Sequence, residues 1–209
     1  MPKKNPDQFS LFPETLYEYH ILLSPSDAIK EDVDNLKQQL HELIGIAERD
    51  RKSIAHITLL NMEAFESTDV KGLIKKAVSG FTKFTIKVTG HGTFGKDEQP
   101  RSFYLKIEDP VPVDELASAI KNPKKKRAPK VVNRQTSIID KPSIDKPKKL
   151  GMVPHITIAR NIPFTDLEKI EDFTPFEYQN EWLCDRIVIR RRIAGTDKIF
   201  TPAGEVKLG

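Results

Sequence analysis

One pattern occurs twice in this 209-residue chain, and it constrains the fold more than any other feature. The first copy opens with His56-Ile57-Thr58-Leu59 and closes at Phe65; the second opens with His155-Ile156-Thr157-Ile158 and closes at Phe164. In both copies the Phe stands nine residues after the His, and helix-forming sequence follows it. A duplication of this kind in so short a chain predicts two similar lobes related by a pseudo-two-fold axis.

The spacing has a physical meaning. Side chains alternate between the faces of a strand, so a His and a Thr two residues apart point the same way. Ile57 and Leu59, or Ile156 and Ile158, then point the other way, where helices can cover them. Each copy therefore presents one imidazole and one hydroxyl over an apolar backing. If the lobes face each other, the cleft between them holds two His and two Thr. A single His-x-Thr on a strand is a weak signal; two copies with matched apolar positions and matched downstream Phe point to catalysis or phosphate binding.

This set of side chains suits phosphodiester chemistry. An imidazole titrates near neutrality and serves as either base or acid. One neutral His can take a proton from the attacking hydroxyl or water while the other, protonated, gives one to the leaving oxygen. Threonine hydroxyls can donate to the non-bridging phosphate oxygens, where charge accumulates. Zinc is the other common use of paired histidines, but neither His lies in a His-x-x-x-His or His-Glu-x-x-His spacing and there is no Cys pair. No metal or cofactor is expected.

Around the repeat, strand and helix patterns interleave, which predicts an α/β or α+β architecture. Strand signals run over Tyr17–Leu23, Ile54–Leu60, Phe84–Thr89, Ser102–Ile107, Val153–Ala159 and Arg186–Ile193, with a last one near Glu205–Leu208. Helical periodicity appears from Ile29 through Val33, Leu36 and Leu40 to Leu43 or Ile44, with Ser26 as N-cap. It recurs over Val70–Val78 and Val113–Ile120. A capping box at Thr165-Asp166-Leu167-Glu168 predicts another helix, with Leu167, Ile170 and Phe173 on one side. Gly90, Gly92 and Gly95 suggest a Gly-rich link between two strands.

The charge is unevenly placed. Between Lys121 and Leu150 eleven Lys and Arg face two Asp, a local +9; the whole chain carries +4, so the remainder carries −5. With Pro123, Pro129, Pro142 and Pro147 and no sustained period, residues 121–149 are expected to form a basic mobile loop. Its RNA-tethering role is one reading and a solvated insertion the other. Residues 1–15 are expected to be a loose tail, leaving a single bilobal domain over 16–209. One cysteine, Cys184, excludes an internal disulfide and suits a reducing compartment. It sits in the apolar run Trp182-Leu183-Cys184 and is expected to be buried. No stretch reaches the length of a membrane span, and no apolar leader follows Met1-Pro2-Lys3-Lys4. A cytoplasmic monomer without membrane contact is expected.

At the two His-x-Thr motifs the chain resembles the 2H phosphoesterase superfamily, in particular the bacterial and archaeal RNA 2',3'-cyclic phosphodiesterases, historically called 2'-5' RNA ligases. The resemblance runs from about Tyr17 to Leu208 and includes Pro100-Arg101 before a strand and Pro154 before the second motif. It implies a bilobal α+β fold with two antiparallel sheets lining a cleft and helices outside. It implies that His56 and His155 are the acid–base pair and that Thr58 and Thr157 bind phosphate. The substrates it implies are RNA ends or small nucleotides with 2',3'-cyclic phosphates, hydrolysed to 2'-phosphates. Cleavage or joining of 2'-5' linkages is the alternative within the enzyme class, and a non-catalytic nucleotide or RNA-binding module is the alternative outside it.

Further residues are candidates by position. Arg160 lies just beyond the second motif, within reach of a phosphate at the cleft rim or equally of solvent. One of Arg190, Arg191 and Arg192 is expected to line the cleft, with Arg191 taken as the candidate; Arg101 is a weaker one. Tyr104 alternates against Phe103 and Leu105, so it faces the cleft if they face the helices, where it and Phe94 could stack a base. His20, His41 and His91 have no repeat partner and are given no role.

Overall fold

The computed structural model describes residues 14–123 and 153–209. Apart from their ends, the expected N-terminal tail and the expected basic loop lie outside the described residues. In chain order the elements are β1 (Leu16–Leu23), α1 (Asp27–Ile44), α2 (Glu48–Arg51), β2 (Ile57–Phe65), α3 (Val70–Ala77), β3 (Phe84–Phe94) and β4 (Arg101–Ile107). They continue with α4 (Val111–Lys121), β5 (His155–Ile162), α5 (Phe164–Leu167), a 3-10 turn at Thr174–Phe176, β6 (Gln179–Cys184), β7 (Arg186–Ile193) and β8 (Thr201–Lys207).

The strands form two four-stranded antiparallel sheets, ordered β2-β1-β7-β8 and β5-β4-β3-β6. The fold is α+β, as expected. Each histidine motif belongs to a strand at the edge of its sheet, β2 in one and β5 in the other, and these two edge strands touch. The helices tie the halves together. Helix α1 leaves the first sheet and packs on β5, and its Asp32 accepts at 2.6 Å from the hydroxyl of Tyr178, just before β6. Helix α4 leaves the second sheet and packs on β2. One hydrophobic core runs through both lobes.

Local chemistry accounts for the elements. In α1, Ile29, Val33, Leu36 and Leu40 recur every three or four residues and are buried, a 3.6-residue stripe. Ser26 caps it by accepting from the Ile29 N–H at 3.4 Å, and Gly45 ends it at φ +69°, a conformation other residues resist. Of the two candidates for its last apolar contact, Ile44 packs on the core and Leu43 is exposed.

Several expectations need correction. The glycines at 90 and 92 lie inside a strand: β3 runs on through them, and Gly90 at φ +67° forms a bulge that shifts its register with β4. The first motif's strand begins at Ile57, so His56 immediately precedes it. The capping box opens no helix. Pro163 takes the N-cap position, Thr165 falls inside the single turn α5, and the chain then leaves the helical path. Phe173 stacks on His91 (centroids 5.1 Å apart) and Phe176 meets Phe103 edge-on at 5.1 Å, so aromatic packing overrides the local signal. Helix α2 and strand β6 were not anticipated. Cys184 is buried in β6, and burial pushes its thiol pKa up to about 12.

Candidate active site

The two motifs share an alternating burial pattern. Ala55, Ile57 and Leu59 are buried, while His56 and Thr58 between them are half-exposed; Pro154, Ile156 and Ile158 are buried, while His155 and Thr157 are half-exposed. The apolar residues anchor each strand in the core and hold the His–Thr pair outward on the other face.

Both imidazoles are fixed in the same way. His56 Nδ1 lies 2.7 Å from the carbonyl of Ile54, and His155 Nδ1 lies 2.8 Å from the carbonyl of Val153, in each case two residues upstream. A carbonyl only accepts, so Nδ1 carries the proton and Nε2 holds the free lone pair when the ring is neutral. Each ring thus presents a basic Nε2 that can take up or deliver a proton.

The surroundings differ between the lobes. Beside His155 stand aromatics: Phe94 and Tyr104 stack at 4.0 Å, and their centroids lie 4.9 and 5.2 Å from the His155 ring. Tyr104 pairs in register with Thr157, and its neighbours Phe103 and Leu105 are fully buried on the opposite face. Gly92 makes room for the tyrosine ring, since a Cβ there would lie 2.8 Å from Tyr104 Cζ.

Beside His56 the environment is polar and cationic. The His20 ring stands edge-on to it at 4.9 Å, and His20 Nε2 lies 3.1 Å from Thr58 Oγ1. Arg190 pairs in register with His20 on the same face. A pocket of about 290 Å³ opens there, lined among others by His56, Arg190, Lys30 and Ser24. Burial lowers the His56 pKa below the usual imidazole range; the bond to Ile54 opposes this, and the cations Lys37, Arg190 and Arg160 add to it. His20 is driven further down, to about 4, by burial first and then by His56, Arg190, Arg160 and Arg192.

A buried network holds the His56 segment. Lys37, fully buried in α1, donates to the Ser53 carbonyl and, at 2.9 Å, to its hydroxyl. The Ser53 hydroxyl donates to the Asp50 carbonyl at 2.7 Å. The Asp50 carboxylate, buried in α2, accepts from the Arg160 backbone N–H (3.0 Å), Nε (3.0 Å) and Nη2 (2.7 Å). The segment before one histidine is thereby fastened to the strand that carries the other.

Two candidate residues lie elsewhere than expected. Arg160 is committed to Asp50: Asn161, at φ +54°, bulges the end of β5 and turns the arginine toward α2. It reaches the histidines only through its charge. Its side lines a larger cavity, of about 500 Å³, which contains neither motif histidine. Arg191 pairs in register with Tyr19, whose side chain is buried, and its guanidinium lies 4.3 Å above the Tyr17 ring, on the face away from the site. Arg190 and Arg192 share the histidine face, and of the two it is Arg190 that lines the pocket with His56. Arg192 pairs with Glu18 at 2.6 Å, and Arg101 clamps the β3–β4 turn through the carbonyls of Gly95 and Asp97. Sequence reasoning missed His20, although alternation with the buried Tyr19, Ile21 and Leu23 puts it on the open face. Among the described residues no three His, Cys, Asp or Glu side chains gather as metal ligands would. No helix among them is long and apolar enough to cross a membrane.

The family model described as the 2'-5' RNA ligase superfamily matches residues 25–196. A comparison with curated protein sequences returned no match. Among solved structures, E. coli LigT complexed with phosphate superposes with a TM-score of 0.57 at 13% identity, over 93% of this chain and 98% of that one. TT0787 of Thermus thermophilus gives 0.57 at 16% identity, over 91% and 97%. E. coli LigT complexed with 3'-AMP gives 0.53 at 16%, over 94% and 99%. At these identities the likeness is one of fold.

Proposed function

Because the chain belongs to the 2'-5' RNA ligase superfamily, the 2H phosphoesterases, we propose that it is a metal-independent phosphodiesterase that opens 2',3'-cyclic phosphates on RNA ends or nucleotides. The observation that carries this reading is the matched pair of His-x-Thr motifs on touching edge strands, each imidazole fixed through Nδ1 with Nε2 free. The phosphate and 3'-AMP complexes of E. coli LigT, a protein of the same fold, support a small nucleotide phosphate as ligand.

In this mechanism His56, kept neutral by burial and neighbouring cations, is the base. Its Nε2 takes a proton from a water whose oxygen attacks phosphorus. The bond from phosphorus to O3' breaks, and His155, protonated, delivers the Nε2 proton to the departing oxygen. The product is a 2'-phosphate beside a free 3'-hydroxyl. Thr58 and Thr157 donate to the non-bridging oxygens as negative charge builds on them. Arg190 adds a positive charge on the His56 side, and Phe94 with Tyr104 offers a stacking face for a base on the His155 side.

The superfamily's description also names 2'-5' linkages, whose cleavage would use the same pair of proton transfers. Product analysis separates the two. The protein, in EDTA, is given 2',3'-cyclic AMP and a 2'-5'-linked dinucleotide. Release of 2'-AMP from the first is expected. Turnover of the dinucleotide alone would replace this reading with the second, and loss of all activity to EDTA would exclude metal-independent chemistry.

A further inference from the structure

We propose that His20 is a positioning residue that aims the Thr58 hydroxyl at the substrate phosphate. This deepens the phosphodiesterase reading and rests on it for the identity of the substrate. The observation is a built arrangement on the first sheet. His20 Nε2 lies 3.1 Å from Thr58 Oγ1, and the His20 ring is wedged between the His56 ring (4.9 Å, interplanar angle 89°) and the Phe200 ring (5.5 Å). Phe200 is itself covered by the Arg192 guanidinium at 4.6 Å. The ring is therefore confined by the neighbours on either side.

The direction of the hydrogen bond decides what Thr58 can do. A hydroxyl has one proton and two lone pairs, while a phosphate oxygen only accepts. If Thr58 donated to His20, its proton would be spent and it would meet the phosphate lone pair to lone pair. If His20 donates from Nε2, the threonine proton is free for the phosphate, and the acceptance fixes where it points. The second arrangement needs a proton on Nε2, which in a neutral ring means the Nε2–H tautomer. Burial and the charges of Arg190, Arg160 and Arg192 keep the ring neutral at pH 7. The pinned bond then costs no reorganisation as charge develops on the phosphate, which is where preorganised donors contribute most.

Two measurements on the full chain test this. The first, long-range ¹H–¹⁵N NMR with and without inorganic phosphate, needs no turnover. The Nε2–H tautomer of His20 is expected, and an Nδ1–H tautomer overturns the proposal. The second is a cycle of kcat values on 2',3'-cyclic AMP. His20→Phe is expected to lower kcat roughly tenfold, about the worth of one hydrogen bond. His20→Gln, which can place an N–H where Nε2 stood, is expected to recover most of the loss. In a Thr58→Ala background, His20→Phe is expected to change nothing further. An equal fall in both backgrounds, with no recovery by Gln, overturns the proposal. If the wild-type protein turns over no cyclic phosphate, the phosphodiesterase reading fails, and the tautomer alone decides the role of His20.

Discussion

At the scale of single residues, the site depends on which nitrogen of each imidazole is free and on which charges stand near it. The carbonyls of Ile54 and Val153 decide the first point. Arg190 contributes to the second, since its cation helps hold the His56 pKa down. Replacing Arg190 by Ala should therefore raise the His56 pKa and shift the acid limb of the kcat/KM profile to higher pH. It should also lower kcat/KM roughly 10- to 100-fold, the worth of one charge-assisted hydrogen bond to phosphate. An NMR titration of His56 beside the rate profile checks both. Arg191→Ala should leave turnover near wild type and forfeit its contacts with Tyr17 and Tyr19. The distinction between these arginines was available in the sequence, because Ile187 and Ile189 face the core, which puts Arg191 on their face and Arg190 on the opposite one. The role of His20 was only half legible: alternation shows its face, but its nearness to Thr58 follows from the pairing of β1 with β2, which no local pattern reveals.

Strands and helices set the distances that those residues need. The bulge at Gly90 and the bare surface of Gly92 let Tyr104 lie flat against Phe94, next to His155. Gly92→Val should displace the Tyr104 ring and weaken binding of cyclic AMP by about 1–3 kcal/mol, the worth of one stacked base. Inhibition by inorganic phosphate should be little changed. Equal losses for both would show that the aromatic pair is not a base platform. The glycines were visible from the start, but glycine signals a link and a bulge alike, and only the register with β4 tells them apart. Strand β6 was missed because Trp182 and Cys184 are its only buried residues, too few to display a period. The false capping box shows the converse, a correct local motif overruled by Pro163 before it and by the aromatic cluster around His91 after it.

Taken whole, the molecule is two sheets locked together by exchanged helices and by the ion pair of buried Asp50 with the half-exposed Arg160. Asp50→Ala removes the acceptor of three hydrogen bonds from Arg160 and cuts the tie between the histidine strands. It should lower stability by about 2–3 kcal/mol, read from urea unfolding midpoints, and lower kcat with it. A loss of stability with kcat unchanged would separate that tie from catalysis. Stability should also depend on pH in a window set by His20 and His56. His20 titrates near 4 in the fold against an ordinary value of 6.5, and His56 is shifted the same way. Between those values the unfolded chain binds protons that the folded one refuses, so stability is full above about 6.5 and falls as pH drops toward about 4. Thermal melts of wild type and His20→Gln should show a flatter decline in the variant. The duplicated motif foretold this two-lobed plan, whereas the exchange of α1 and α4 between the sheets is a long-range choice that no segment records on its own.

The central claim is that His56 and His155 work as one catalytic unit, and a double-mutant cycle on turnover tests it most directly. With 2',3'-cyclic AMP in EDTA, His56→Ala and His155→Ala should each lower kcat by roughly 100- to 10,000-fold. The double variant should be no slower than the worse single, because members of a unit fail together. If either single variant keeps wild-type kcat, or if the two losses multiply in the double variant, the histidines do not act as a pair.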